Sequence, residues 1–175
     1  MESAVFGGGC FWCVEAVFAQ LKGVAGITSG YAGGTKPNPT YQEVCGGASG
    51  YAEVIKMEFD PSIIPFRVLL EVYFSAHDPT TLNQQGNDRG EQYRSVIFYQ
   101  NETQKQNAEA FIDELTREKV FDRPIVTAVE PLTNFYPAEQ HHQNYYAENQ
   151  DQPYCQVVIS PKVAKIRKKY QSYLK

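Results

Sequence analysis

The spacing of apolar and polar positions changes several times along this chain, and each change marks an element. Residues 3–8 form a short apolar run entering Gly7-Gly8-Gly9, which reads as a buried strand followed by a turn. From Cys10 to Leu21, the positions Phe11, Val14, Val17, Phe18 and Leu21 recur with helical period, and Gly23 ends the helix. Residues 24–32 predict an irregular strand, 33–40 a loop rich in Gly, Pro and Asn, and 41–45 one helical turn. Tyr51 to Phe59 alternates as a strand does and stops at Asp60-Pro61. Pro65 to His77 returns to helical spacing through Phe66, Leu69, Leu70, Tyr73 and Phe74. A long polar loop covers 78–92. A strand at 93–99, the longest helix at 102–121 and a strand at 125–130 follow. A polar helix at 138–149, coil at 149–156 and a final helix at 161–174 complete the series.

Strands and helices interleave, but their connections are too unequal for a doubly wound parallel sheet. A two-layer α+β arrangement with helices on one sheet face fits better, with a coil-rich C-terminal part. No repeat, low-complexity tract or linker divides the chain. Its 175 residues suit one catalytic domain, with 149–175 as a C-terminal tail and helix.

Composition is that of an ordinary soluble domain, 42% hydrophobic and 21% charged. The formal net charge of −4 speaks against a nucleic-acid partner. The only basic cluster, Lys162, Lys165, Arg167, Lys168 and Lys169, reads as the solvated face of the last helix. No apolar run approaches the roughly 20 residues that cross a bilayer, so no membrane partner is expected. Met1-Glu2-Ser3 does not begin a secretory signal, and a cytoplasmic setting is the expectation, with a removed leader or a fusion partner left open. In a reducing compartment four cysteines point to catalysis or metal rather than to structural disulfides.

The candidate chemistry starts at Gly9-Cys10-Phe11-Trp12-Cys13. The glycines open the thiol to approach, and a helix start favours thiolate, the attacking form. Cys-x-x-Cys at a helix start fits a dithiol redox site. Zinc would need two more ligands, from Cys45, Cys155 or the three histidines, and the bulky Phe11 and Trp12 disfavour it. Glu53 sits within an otherwise apolar strand. Facing a pocket walled by Phe11 and Trp12, it would have a raised pKa and serve as a neutral proton donor; facing water, it would be an ordinary surface carboxylate. The 78–95 segment, with Asn87-Asp88 and Tyr93, reads either as a loop closing over a site or as a plain turn. His141 and His142 point to different sides of a helix; either could be a base toward Cys10, or a hydrogen-bonded residue at the pocket rim.

Four segments resemble the peptide methionine sulfoxide reductase A family. They are Gly9-Cys10-Phe11-Trp12, the Asn38-Pro39-Thr40-Tyr41 to Gly50-Tyr51-Ala52-Glu53 stretch, the Gln85 to Ser95 run, and Ala138-Glu139-Gln140-His141-His142-Gln143. The likeness extends from about residue 3 to about 156. It implies a two-layer α/β plait with a ferredoxin-like core and a mixed, mostly antiparallel sheet. It also implies Cys10 as nucleophile, Glu53 as acid, and Phe11 and Trp12 as the wall for the substrate methyl group. Tyr41 and Tyr93 surround the sulfoxide oxygen, with Asp88 nearby. The implied substrate is methionine S-sulfoxide, free or in oxidised proteins. Cys10 would become a sulfenic acid, which a second thiol closes into a disulfide. No bound cofactor is implied; thioredoxin or another dithiol is the external reductant. Cys13 replaces the glycine of many relatives, and Tyr51 stands where many carry histidine. Cys13 has the shorter reach and Cys155 the mobility of a coil, so Cys155 is slightly favoured for the first disulfide with Cys13 relaying. Cys45 reads as a structural thiol.

Overall fold

The computed structural model describes residues 1–175. Its main sheet has six strands: β1 (Glu2–Gly7), β2 (Val24–Ala32), β3 (Ala52–Phe59), β6 (Val96–Tyr99), β7 (Ala128–Pro131) and β8 (Tyr136–Pro137). They lie in the order β7-β6-β1-β3-β2-β8. Four pairings are antiparallel and the β6–β7 pairing is parallel, so the sheet is mixed as expected. The other two strands, β4 (Gln84–Gln85) and β5 (Asp88–Arg89), make a small hairpin within the polar loop. The helices are α1 (Phe11–Phe18), α2 (Tyr41–Cys45), α3 (Phe66–Ala76), α4 (Glu102–Arg117), α5 (Tyr145–Glu148) and α6 (Ser160–Lys169). None is long and apolar enough to cross a membrane.

Strand alternation assigns the two sheet faces. On β1, Ala4 and Phe6 join the main core under the helices, while Val5 faces the other side with Val54, Val96 and Phe98. On β3, Ile55, Met57 and Phe59 share the helix face, and Glu53 has the same parity. The opposite face is covered by Leu132 and Phe135 rather than by a helix. The main core joins α1 through Val14, Val17 and Phe18 to α3 through Leu69, Tyr73 and Phe74. A smaller cluster joins α1 to the C-terminal helix through Cys13, Ala16, Cys155, Ile159 and Val163.

Several elements differ from the pattern's prediction. The strand expected from residue 93 begins at Val96, because Glu91–Tyr93 turns as a 3-10 helix and Arg94 reaches back to the carbonyls of Glu91 and Gly50. The expected helix at 138–149 is broken into a 3-10 turn, Gln140–His142, and the short α5, with Asn144 left-handed between them. There Gln143 spends its amide on both backbone groups of Ser29 in β2, a tertiary demand that overrides helix periodicity. The expected coil at 149–156 is a correction of greater consequence. Helix begins at residue 153 and runs to Lys169, with Cys155–Ile159 π-helical. Pro161 lacks an N–H and crowds the carbonyl four residues earlier, and the wider π turn just before it relieves that crowding. Cys155 is thus a fully buried helical residue, not a residue on mobile coil.

Candidate active site

Cys10 is the N-cap residue of α1, in extended conformation, at the end of the glycine turn. Gly9 needs its φ of +93°, and an added Cβ would lie 2.7 Å from Gln85 Cγ. Gln85 in turn bonds both backbone groups of Asp78, so the polar loop is clamped against the thiol-bearing turn.

The helix start acts differently from the sequence expectation. Its Trp12 N–H does favour the Cys10 anion, but burial, the Cys13 thiol and the Glu53 charge all oppose this, burial most strongly. The Cys10 thiol therefore sits well above its ordinary pKa. Cys13 is drawn down to about 7 despite its burial, the neighbouring Cys10 thiol being the largest cause and the Lys162 charge assisting. The two sulfurs thus form a pair that gives up its first proton near neutrality. One sulfur carries the charge while the other donates to it.

Glu53 is 1% exposed on the helix face of β3. Its Oε1 accepts the Phe11 N–H at 3.1 Å, which fixes the carboxyl beside the residue after the thiol. Its Oε2 is buried with no partner. Burial pushes its pKa up to about 8, against the Phe11 bond, with Asp88 and Cys13 adding repulsion. At pH 7 the carboxyl is therefore neutral by about ten to one.

The aromatic wall continues into the core. Phe11 is fully buried, with Tyr31 at 5.7 Å, Tyr41 at 6.4 Å and His142 at 5.4 Å between ring centroids. Trp12 is half-buried and stacks on Tyr145 at 3.7 Å and 8°. Its indole N–H donates to His142 Nδ1 at 3.2 Å, so that nitrogen is unprotonated. His142 is therefore a partner of the wall rather than a base aimed at Cys10, while His141 is exposed. Glu139 accepts from the Tyr31 hydroxyl and the Tyr41 N–H, anchoring α2 beneath the same wall.

Tyr41 and Tyr93 are both half-buried, and burial is the main cause holding their phenols protonated, with the Glu53 charge contributing to each. Tyr41 and Cys45 are close enough to influence each other's ionisation, which places that thiol at the edge of the site. Asp88 lies near enough to Glu53 and Tyr93 for its charge to act on both, and its Oδ2 also accepts the Tyr154 hydroxyl at 2.7 Å, a hydroxyl 3.6 Å from Cys13 Sγ. Tyr51 makes no hydrogen bond to the Glu53 carboxyl. Its ring packs under Gly34 and its hydroxyl donates to the Lys36 carbonyl.

A cavity of about 380 Å³ opens onto Cys10 and Cys13, bordered by Gln85, Asp88, Tyr154, Val158 and Lys162. Sequence reasoning missed Tyr154, Gln85 and Lys162. The first was read as coil and the third as solvated surface, so the only available signal was the spacing of four residues from Tyr154 to Val158 to Lys162. No three His, Cys, Asp or Glu side chains converge as metal ligands.

A paired thiol beside a buried neutral acid is the chemistry of a thiol-based oxidoreductase, and comparison with known proteins narrows the class. The model of the family described as peptide methionine sulfoxide reductase matches residues 2–174, and the chain belongs to that family. A peptide methionine sulfoxide reductase MsrA from Chromobacterium violaceum is 56% identical over 99% of both chains. Among solved structures, Mxr1 from Saccharomyces cerevisiae in reduced form has a TM-score of 0.80 at 33% identity over 88% of both chains. A crystal structure of Mxr1 in complex with Trx2 aligns with a TM-score of 0.56 at 23% identity, over 82% of this chain and 84% of that one. The protein is an MsrA-type oxidoreductase that acts on methionine sulfoxide and so repairs oxidised methionine.

Proposed function

We propose that the enzyme reduces the S epimer of methionine sulfoxide, free or in proteins, through a sulfenic acid on Cys10. The observation that carries this reading is the Phe11 N–H bond to Glu53 Oε1, which leaves the buried Oε2 without a partner and neutral at pH 7. Cys13, the neighbouring thiol, accepts the Cys10 proton, and the Cys10 thiolate attacks the sulfoxide sulfur. Negative charge grows on the oxygen. Glu53 donates its proton there while the Tyr41 and Tyr93 hydroxyls donate hydrogen bonds. As the protonated oxygen passes from the substrate sulfur to the Cys10 sulfur, the substrate S–O bond and the bond just formed between the two sulfurs break and a Cys10 S–O bond forms, so that methionine leaves reduced by two electrons and Cys10 is left as S–OH. Phe11 and Trp12 receive the methyl group.

A thiol then attacks the Cys10 sulfenic acid, forming the S–S bond and releasing water. Cys13 is favoured for this step. It lies one helical turn from Cys10 and ionises near neutrality, whereas burial raises the Cys155 thiol above its ordinary value. Cys155 packs behind Cys13 in one apolar cluster, positioned for a second exchange. Asp88, through Tyr154, orients the hydroxyl beside Cys13. An external dithiol of the thioredoxin type reduces the disulfide, as the Trx2 complex of the yeast relative suggests. The working compartment is a reducing cytoplasm, no bound cofactor takes part, and neither nucleic acid nor membrane is a partner. Residues 1–175 act as one catalytic domain with 149–175 as its C-terminal part. We read β1–α1–β2–β3–α3–β6 as a ferredoxin-like plait, on the strand order β6-β1-β3-β2.

Peptide mapping after one equivalent of methionine S-sulfoxide, with no external dithiol, tests the reading. It is expected to yield one methionine and a Cys10–Cys13 disulfide. Methionine formed without oxidation of Cys10 refutes it.

A further inference from the structure

The helical run from residue 153 to 169 turns one side toward the thiols. Tyr154, Val158 and Lys162, each four residues from the next, border the cavity of Cys10 and Cys13. Cys155, Ile159 and Val163 take the core side. The π-helical segment Cys155–Ile159 sets this phase, and wide turns of this kind concentrate at functional sites. Lys162 is the only basic side chain on that cavity.

Its neighbours on the helix are engaged elsewhere. Lys165 donates to the Ser75 carbonyl, Arg167 to Gln20 and Lys169 to the Ser75 hydroxyl. The three ion pairs of the chain are Lys36–Glu43, Arg67–Glu114 and Arg123–Asp78. Lys162 joins none of them. It is half-buried, with its ammonium left without a carboxylate at the rim of a cavity that holds two sulfurs.

We propose that Lys162 is a positioning residue for the disulfide-forming step, holding negative charge on Cys13 as it attacks the Cys10 sulfenic acid. The inference rests on the reading of Cys13 as the resolving thiol. The step balances without another reactant: Cys13 gives up the proton it took from Cys10, its thiolate forms the S–S bond, the Cys10 S–O bond breaks, and the departing hydroxide leaves as water with a proton equivalent to the one Cys13 released. Attack needs a thiolate in a buried place, where an anion is costly. Once Cys10 is S–OH, the Cys10 S–H that supports the Cys13 anion is gone. The groups then facing Cys13 are the Tyr154 hydroxyl, whose one proton goes to Asp88, the Asp88 and Glu53 charges, which oppose the anion, and the buried Cys155 and His77. Lys162 is the one positive charge among them, and it favours the Cys13 anion.

The test is quenched-flow of the full chain with one equivalent of methionine S-sulfoxide across pH 5.5–9, reading methionine and disulfide separately and mapping the disulfide. Lys162→Gln is expected to raise the pH midpoint of disulfide formation by roughly half to one unit. That slows the step about three- to tenfold below pH 7. Lys162→Arg, which keeps the charge, is expected to restore the midpoint. A Cys10–Cys13 disulfide formed by Lys162→Gln with an unshifted midpoint overturns the inference, as does an effect confined to KM. A Cys10–Cys155 disulfide in the unmodified protein overturns the underlying reading instead.

Discussion

Replacing Glu53 by Gln removes one proton and little else. The amide oxygen can still accept the Phe11 N–H that holds the side chain at 3.1 Å, and the volume is unchanged. The amide can donate a hydrogen bond from the Oε2 position but cannot deliver a proton to a departing oxygen. General acids of this kind contribute about 10²–10⁴-fold, or roughly 3–5 kcal/mol of barrier. Single-turnover methionine release by Glu53→Gln should therefore fall at least about a hundredfold at pH 7. The pH profile adds a second constraint. In the native enzyme the thiol pair ionises at about 7 and Glu53 at about 8, so the rate should follow a narrow bell. In the variant the alkaline limb should vanish while the acid limb stays. Stability should move the other way. A carboxyl raised from 4.5 to about 8 contributes fully below pH 4.5 and loses that contribution as pH rises to about 8. At pH 7 this amounts to roughly 3 kcal/mol, so thermal unfolding of Glu53→Gln should occur at higher temperature than native at pH 7–8 and at a similar temperature near pH 4. A variant within about threefold of native turnover that keeps its alkaline limb would refute the acid role.

Other parts of the site give independent tests. Trp12 is the single tryptophan of the chain, so tryptophan emission, excited beyond the tyrosine band, reports on the methyl wall alone. His142 is buried, and burial and the His141 charge hold its pKa below the usual value, against Glu139. Acidification below that range should protonate Nδ1, break the indole bond and change the emission; in His142→Phe the transition should be absent, and its persistence would contradict the tautomer. Gly9→Ala places a Cβ 2.7 Å from Gln85 Cγ at a φ of +93°. It should cost about 1–2 kcal/mol in denaturant unfolding and lower single-turnover rate at least tenfold. Native rates there would mean that the Gly9–Gln85 contact does not set the thiol.

What could be read from the chain depended on how local its causes were. The Cys10 helix, the strand carrying Glu53 and a layered sheet with helices were legible because apolar period and glycine placement are properties of a short stretch, while the mixed strand pairing was implied only by the family resemblance. Which way Glu53 faces was left open by its strand pattern, and the structure settles it on the helix side with Ile55 and Met57. Elements whose partners are distant were misread. Gln143 breaks its helix to serve Ser29, which lies more than a hundred residues away. The 153–169 helix hid behind Pro161, which usually opens a helix but here sits within one by widening the turn before it. That error displaced Cys155 into coil and Lys162 onto the surface. The ionisation of Cys10 was misjudged for the same reason: a helix start is visible in sequence, while the burial that outweighs it is not.

The account rests most directly on the protonation state of one carboxyl. Infrared difference spectra of native protein against Glu53→Gln, titrated from pH 4 to 10, isolate it. The account predicts a protonated-carboxyl C=O band present at pH 7 that disappears with a midpoint of about 8. A carboxylate already ionised at pH 7, with a midpoint near the ordinary 4.5, would contradict it.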